Sequence, residues 1–161
     1  MSARSIRSDA SGGAAVSSLI ANAMPFNWTV LQVVPRVERD ERFNAGVIVF
    51  CRSRRFLDAQ VWLDARKLLA LDPGADETLI RAHLDALARI AVGDLTAGPI
   101  AALEQGERFH WLSAPSSTII QPSPVHGGVT TDPSGTLEKL FTQMVAPLER
   151  PSSNGRVAGK L

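Results

Sequence analysis

Val47-Ile48-Val49-Phe50-Cys51 restricts the folding of this chain more than any other segment. Five consecutive apolar residues, three of them β-branched, lie between Asn44-Ala45-Gly46 and the polar run Arg52-Ser53-Arg54-Arg55. A run this short, rich in Val and Ile and bounded by turn residues, reads as a strand buried on both faces. Its neighbours have strand composition too. Phe26–Val37 carries Trp28, Val30, Leu31, Val33, Val34 and Val37, the residue types that favour a pleated surface. Pro35 cannot donate to a ladder and suggests an edge or a bulge. Glu38–Arg42 reads as a charged loop. Phe56–Leu63 alternates, with Leu57, Ala59, Val61 and Leu63 opposed to Asp58, Gln60 and Trp62. Three strands with short connections predict an antiparallel meander.

The middle of the chain turns helical. Asp64–Leu71 is expected to form a short helix with Leu68, Leu69 and Leu71 inward. Asp72-Pro73 is a helix start signal, and Asp76 is a competing cap. Leu79, Ile80, Leu84, Leu87, Ile90 and Ala91 then form an apolar stripe of helical period, ended by Gly93. Pro99–Leu103 suits one helical turn. Arg108–Leu112, Thr118–Gln121 and Val125–Thr131 read as strands, punctuated by Pro115, Pro122 and Pro124. A second Asp-Pro pair, Asp132-Pro133, opens a final helix whose stripe is Leu137, Leu140, Phe141, Met144, Val145 and Leu148. The expected fold is α+β: an antiparallel sheet, made of the N-terminal meander and C-terminal strands, with two main helices packed on it.

Composition bounds the class without choosing a function. The 161 residues suit one domain. Residues 1–24, dominated by Ser, Ala and Gly, read as a disordered leader rather than a signal peptide, and 151–161 as a disordered tail, leaving 25–150 to fold. No apolar run approaches the roughly 20 residues of a bilayer-spanning helix. A single cysteine, Cys51, excludes an internal disulfide and a zinc site built mainly from Cys, and points to the cytoplasm. The net charge of +1 gives no whole-chain field to attract nucleic acid. That total hides a division. Arg36–Arg55 holds six arginines against three acidic residues, whereas Phe56–Arg150 holds seven basic and twelve acidic residues.

No motif names a reaction. Neither GxxxxGK[ST], GxGxxG nor HExxH occurs. His83 falls in the apolar stripe of the middle helix and reads as a histidine at the core edge. His110 and His126, with Asp132 and the hydroxyls of Ser117, Thr118 and Ser123, allow a Ser–His–Asp set to be drawn, but only from proximity along the chain. The GxSxG elbow of such nucleophiles is absent, and Asp132 has a competing task as helix cap. Gly127-Gly128, beside His126, allows close backbone approach to a ligand. Ser117, Thr118 and Gln121 suit a small polar ligand or, more simply, turns. A metal site from His110, His126 and an acid has no distinctive spacing, and no metal or cofactor is expected. If the first two strands pair, the arginines divide between turns at opposite ends of the hairpin. Solvated turns with local ion pairs are the plain reading. An anion site at Arg36, Arg39, Asn44, Arg54 and Arg55 is the sharper one, with nucleic acid unfavoured because aromatic residues are sparse there. Cys51 reads as a small hydrophobe at a strand end.

Two stretches together resemble a known family. One holds Val34-Pro35-Arg36-Val37-Glu38-Arg39, Asn44-Ala45-Gly46-Val47-Ile48-Val49-Phe50-Cys51 and Arg55-Phe56-Leu57. The other holds Arg108-Phe109-His110-Trp111-Leu112, Ala114-Pro115, Ser117–Gln121, Ser123–His126, Gly128 and Asp132-Pro133. Their order and spacing resemble the bacterial Domain of Unknown Function 3037 family over Phe26–Val145. The resemblance implies a cytoplasmic bacterial protein of undetermined activity, an accessory partner of kinases similar to the HipA toxin. In the family pattern a basic residue follows Ala114-Pro115; here Ser116 stands there, which weakens any anion binding at that position. Three readings follow: a non-catalytic interaction module; an enzyme or small-molecule-binding domain using His110, His126 and Ser117 or Thr118; and phosphate or nucleic-acid binding by the arginine turns. The functional surface is expected in Ala114–Gly128.

Overall fold

The computed structural model describes residues 21–148. Of the ends read as disordered, 1–24 and 151–161, residues 1–20 and 151–161 lie outside the described residues, and Met24 already belongs to the first strand. Strand β1 (Met24–Val33) pairs antiparallel with β2 (Phe43–Cys51), which pairs antiparallel with β3 (Phe56–Val61). The meander is followed by helices α1 (Ala65–Leu71), α2 (Glu77–Val92) and α3 (Gln105–Ser113). Two short strands, β4 (Ile120–Pro122) and β5 (His126–Thr130), then line up on the free edge of β1, and α4 (Pro133–Met144) closes the fold. The sheet runs β3-β2-β1-β4, with β5 beside β4 on the same edge of β1. This is the expected α+β architecture.

Helices cover both faces of the sheet. Along β2, Ile48 and Phe50 join the core under α1, α2 and α3, together with Leu31, Val33, Leu68, Leu84 and Phe109. Val47, Val49 and Cys51 point the other way, into a second core with Phe26, Leu137 and Val145. The unbroken apolar run is thus a strand packed from two sides, and burial of its five side chains contributes roughly 1.5–3 kcal/mol for each large one. The phase of β2 is not uniform. Gln32 faces Asn44 and Leu31 faces Gly46, so Ala45 is an extra residue on β2. Such a bulge reverses which parity faces which core, and Phe43 accordingly joins Ile48 and Phe50 in one core. The irregularity expected near Pro35 therefore sits at Ala45; β1 stops two residues short of the proline.

Several elements differ from expectation. Arg108–Leu112 is not a strand but part of α3. Its buried residues, Arg108, Phe109 and Leu112, follow helical spacing, and Phe109 stacks on Phe50 with ring centroids 5.1 Å apart. In α1 only Leu68 is buried; Leu71 is half-buried against the core, and Leu69 faces solvent. Asp72 does not start a helix. It closes α1, and its carboxylate accepts from the Gly74 N–H at 3.1 Å, while Asp76 caps α2 by accepting from the Leu79 N–H at 3.0 Å. The final helix ends at Met144, near Pro147, whose predecessor is disfavoured in helical geometry; Leu148, placed in its stripe, is exposed. The turn at Pro99–Ala102 forms as expected.

Gly46 tests the bulge. A Cβ there would lie 2.9 Å from Val61 Cγ1, 3.2 Å from the Gln60 carbonyl oxygen and 3.3 Å from Leu31 Cβ. Gly46→Ala is expected to lower stability by about 1–3 kcal/mol through overpacking. Gly74→Ala, whose Cβ would meet only Asp72 Oδ1 at 3.6 Å, is expected to stay within about 0.5 kcal/mol of the parent. Urea denaturation of the two variants checks the difference.

Candidate functional site

The β1–β2–β3 hairpins send the two arginine groups to opposite ends of the sheet, and the two ends are electrostatically unlike. In the first turn each arginine has an acidic neighbour. Arg36 lies 3.4 Å from Asp72 and 3.7 Å from Glu38, Arg39 lies 2.6 Å from Glu41, and Arg42 pairs with Asp40. The Glu41 hydrogen bond, and then its charge, hold the Arg39 guanidinium above its ordinary pKa. Asn44 spans two elements, its amide accepting from Gln32 and donating to the Met144 carbonyl at 3.0 Å, so it ties the end of α4 to the sheet. In the second turn, Arg52, Arg54 and Arg55 make no ion pair among the described residues. Arg55 sits in the left-handed region at φ 51°. Its carbonyl accepts from the Gln105 side chain at 2.7 Å, which joins this turn to the start of α3.

The residues singled out between 110 and 132 do not converge. His110 lies on α3, on the Phe50 side of the sheet, in a hollow of about 550 Å³ shared with Arg52 and Arg55. His126 lies on β5 and packs on Trp28, with ring centroids 4.6 Å apart; Trp28 belongs to the core on the opposite face. Asp132 caps α4, accepting from the Gly135 N–H at 3.1 Å, and no Ser–His–Asp set is assembled. Ser117 is exposed. Thr118 donates to the Ile120 carbonyl at 2.8 Å, and Gln121 donates to the Thr118 carbonyl at 2.9 Å, so both hold the loop ahead of β4. Gly128 accommodates the Phe26 ring: a Cβ would stand 2.7 Å from Phe26 Cε1. Among the described residues, no three His, Cys, Asp or Glu side chains gather to hold a metal ion, and no helix is long and apolar enough to cross a membrane.

Ser123 has a particular place in the sheet. It separates Pro122 from Pro124, neither of which has an N–H to give to β1. Its own N–H donates to the Val30 carbonyl at 2.8 Å, and its hydroxyl accepts from the Val30 N–H at 2.9 Å. The buried Thr29 hydroxyl donates to its carbonyl at 2.8 Å. One serine thus carries the ladder across the gap between β4 and β5.

A second concavity, of about 410 Å³, opens between α2, α3 and the segment Ala114–Pro122. Leu31, Leu112 and Ile120 are buried in its floor, Leu87 and Trp111 form its helical side, and Pro115 and Pro122 border the loop side. His83 is the one titratable side chain on its lining. Trp111 is 45% exposed. Part of the segment expected to be functional therefore does form a wall of a concave site. Trp111, Leu87 and His83 were not legible as its other wall, because Trp111 faces the groove only once Arg108–Leu112 is a helix.

The sequence profile of a protein of unknown function (DUF3037) matches residues 28–145. The chain belongs to the DUF3037 family. No curated protein and no solved structure matches it. In this DUF3037 chain the match runs from Trp28 in β1 to Val145 just beyond α4, so it takes in β2 to β5, most of β1 and the linings of both concavities described above.

The role of Ser123 is directly testable. Ser123→Ala leaves the Val30 N–H without its acceptor, and the expected loss is about 1–3 kcal/mol. His126→Ala, which removes an exposed ring from the edge strand, is expected to cost less. Thermal and urea unfolding of the two variants side by side measure this.

Proposed function

We propose that this DUF3037 domain is a non-catalytic interaction module whose contact face is the groove beside Trp111, and that its partner is a bacterial, cytoplasmic kinase of the HipA type. The observation that carries the reading is a half-exposed tryptophan beside an apolar hollow that no Lys, Arg, Asp or Glu lines. Large aromatic side chains next to desolvated hollows dominate the energy of protein contacts. A soluble surface does not present such a combination without cost, since apolar area left in water is unfavourable. The enzymatic reading draws less support, because His110 and His126 stand on opposite faces of the sheet. The partner's kind comes from the family resemblance alone.

The test is coexpression of the tagged chain with a HipA-type kinase from the same genome, followed by size-exclusion chromatography and titration. A one-to-one complex is expected. Trp111→Ala is expected to weaken it by about 2 kcal/mol or more, with an unfolding midpoint close to that of the parent because the ring is only half-buried. Failure to form the complex overturns the choice of partner. A complex indifferent to Trp111→Ala overturns the choice of face.

A further inference from the structure

We infer that the hollow at the first turn of α3 is an oxyanion-binding site, which takes the phosphate or carboxylate group of a small ligand on Arg52 and Arg55. Two features meet there, and a third adjoins it. First, α3 starts without a side-chain cap: Glu104, at the capping position, makes no such bond. The N–H groups of Gln105, Gly106 and Glu107 have no intrahelical acceptor by construction, and they carry the positive end of the helix dipole. All three residues line the hollow, over a floor that includes Phe50.

Second, two guanidiniums border the same hollow, and neither makes an ion pair among the described residues. Arg52 lies so close over the first turn that a Cβ on Gly106 would stand 3.3 Å from its Nη2. Glycine at 106 therefore lets the guanidinium and the backbone N–H groups approach one point together. The hydrogen bond from the Gln105 side chain to the Arg55 carbonyl fixes the turn against the helix.

Third, a smaller hollow of about 350 Å³ shares Arg55, Glu104 and Gln105 with the first and is also lined by Arg108. Arg108 is only 8% exposed. It donates to the Leu103 carbonyl at 2.6 Å and the Ala91 carbonyl at 3.3 Å, its Nε is unpartnered, and no carboxylate lies within ion-pair reach among the described residues. Arg108 does not line the larger hollow, so it adds positive charge from the wall of the neighbouring one rather than a direct contact. Glu104 and Glu107 also line the larger hollow. Their charges select for an oxyanion of low charge, or one joined to a cationic or hydrogen-bond-donating group, over a polyphosphate or a nucleic-acid backbone.

The experiment is titration of the full-length protein with inorganic phosphate and, separately, with acetate, followed by amide chemical shifts. Saturable shifts are expected at Gln105, Gly106 and Glu107 and in Arg52–Arg55. Arg52→Gln and Arg55→Gly are each expected to weaken binding about tenfold or more, because each removes charge-assisted hydrogen bonds. Arg39→Gln, at the far end of the hairpin, is expected to leave affinity unchanged. Melting curves of all three variants establish that they fold, and Arg55→Gly also relieves the left-handed backbone. Binding of phosphate alone, or of acetate alone, upholds the site and identifies which group it takes. No saturable shift with either anion overturns the inference, and so does equal weakening by Arg39→Gln, which would mark a bulk charge effect.

Discussion

Burial of β2 on both faces is the constraint from which the rest of this fold follows. A strand with Val47, Val49 and Cys51 on one side and Ile48 and Phe50 on the other needs an apolar layer above and below it. An antiparallel sheet made only of hairpins leaves one face in water. Here the chain supplies three helices to one face and, after returning along β1 as β4 and β5, a fourth to the other. The return path explains why β1 carries hydrogen bonds on both edges. It also explains why Ser123 bridges the prolines: a gap there would open the edge on which the connection to α4 depends.

The same two hairpins sort the charges. Their turns lie at opposite ends of the sheet, so six arginines close in sequence become two groups with different surroundings. The group at Arg36–Arg42 is neutralised by residues of its own loop and by Asp72. The group at Arg52–Arg55 has no acid within its own turn and faces the start of α3. A net charge near zero is therefore uninformative about the local field, which depends on which turn each acid can reach.

Much of the architecture was legible because it rests on local signals: the apolar run of β2, the alternation of β3, the 3.6-residue stripes of α2 and α4, and the caps at Asp76 and Asp132. Where two signals competed, as at Asp72 and Asp76, proline in second place misled, because it serves a turn as well as a helix start. The segment Arg108–Leu112 was misread for a different reason. Phe109 and Trp111 favour strands by composition, five residues are too few to separate the two periods, and α3 has no capping side chain to announce it. Its helical state is set by packing, the Arg108 guanidinium on the Ala91 and Leu103 carbonyls and Phe109 on Phe50. The candidate site inherited that error. His110 and His126 are sixteen residues apart along the chain, yet once α3 is a helix they belong to opposite layers. Trp111 lines the groove with Leu87 instead.

Arg108 then has a consequence beyond its own burial. Helix α3 borders the charged hollow with its first turn and His110, and the apolar groove with Trp111-Leu112. Between them the helix is held by Phe109 on the sheet and by Arg108, whose guanidinium bonds the end of α2 at Ala91 and the Leu103 carbonyl just ahead of α3. Gly93, at φ 79°, ends α2 and passes so near that guanidinium that a Cβ would stand 3.4 Å from it. A hydrocarbon of similar volume at 108 would fill the space but bond neither carbonyl, and the buried Ala91 carbonyl would then need another donor. The depth at which Arg108 is buried fixes where both ends of α3 sit relative to the sheet. The charged hollow and the apolar groove are for that reason mechanically one unit, although no residue lines both.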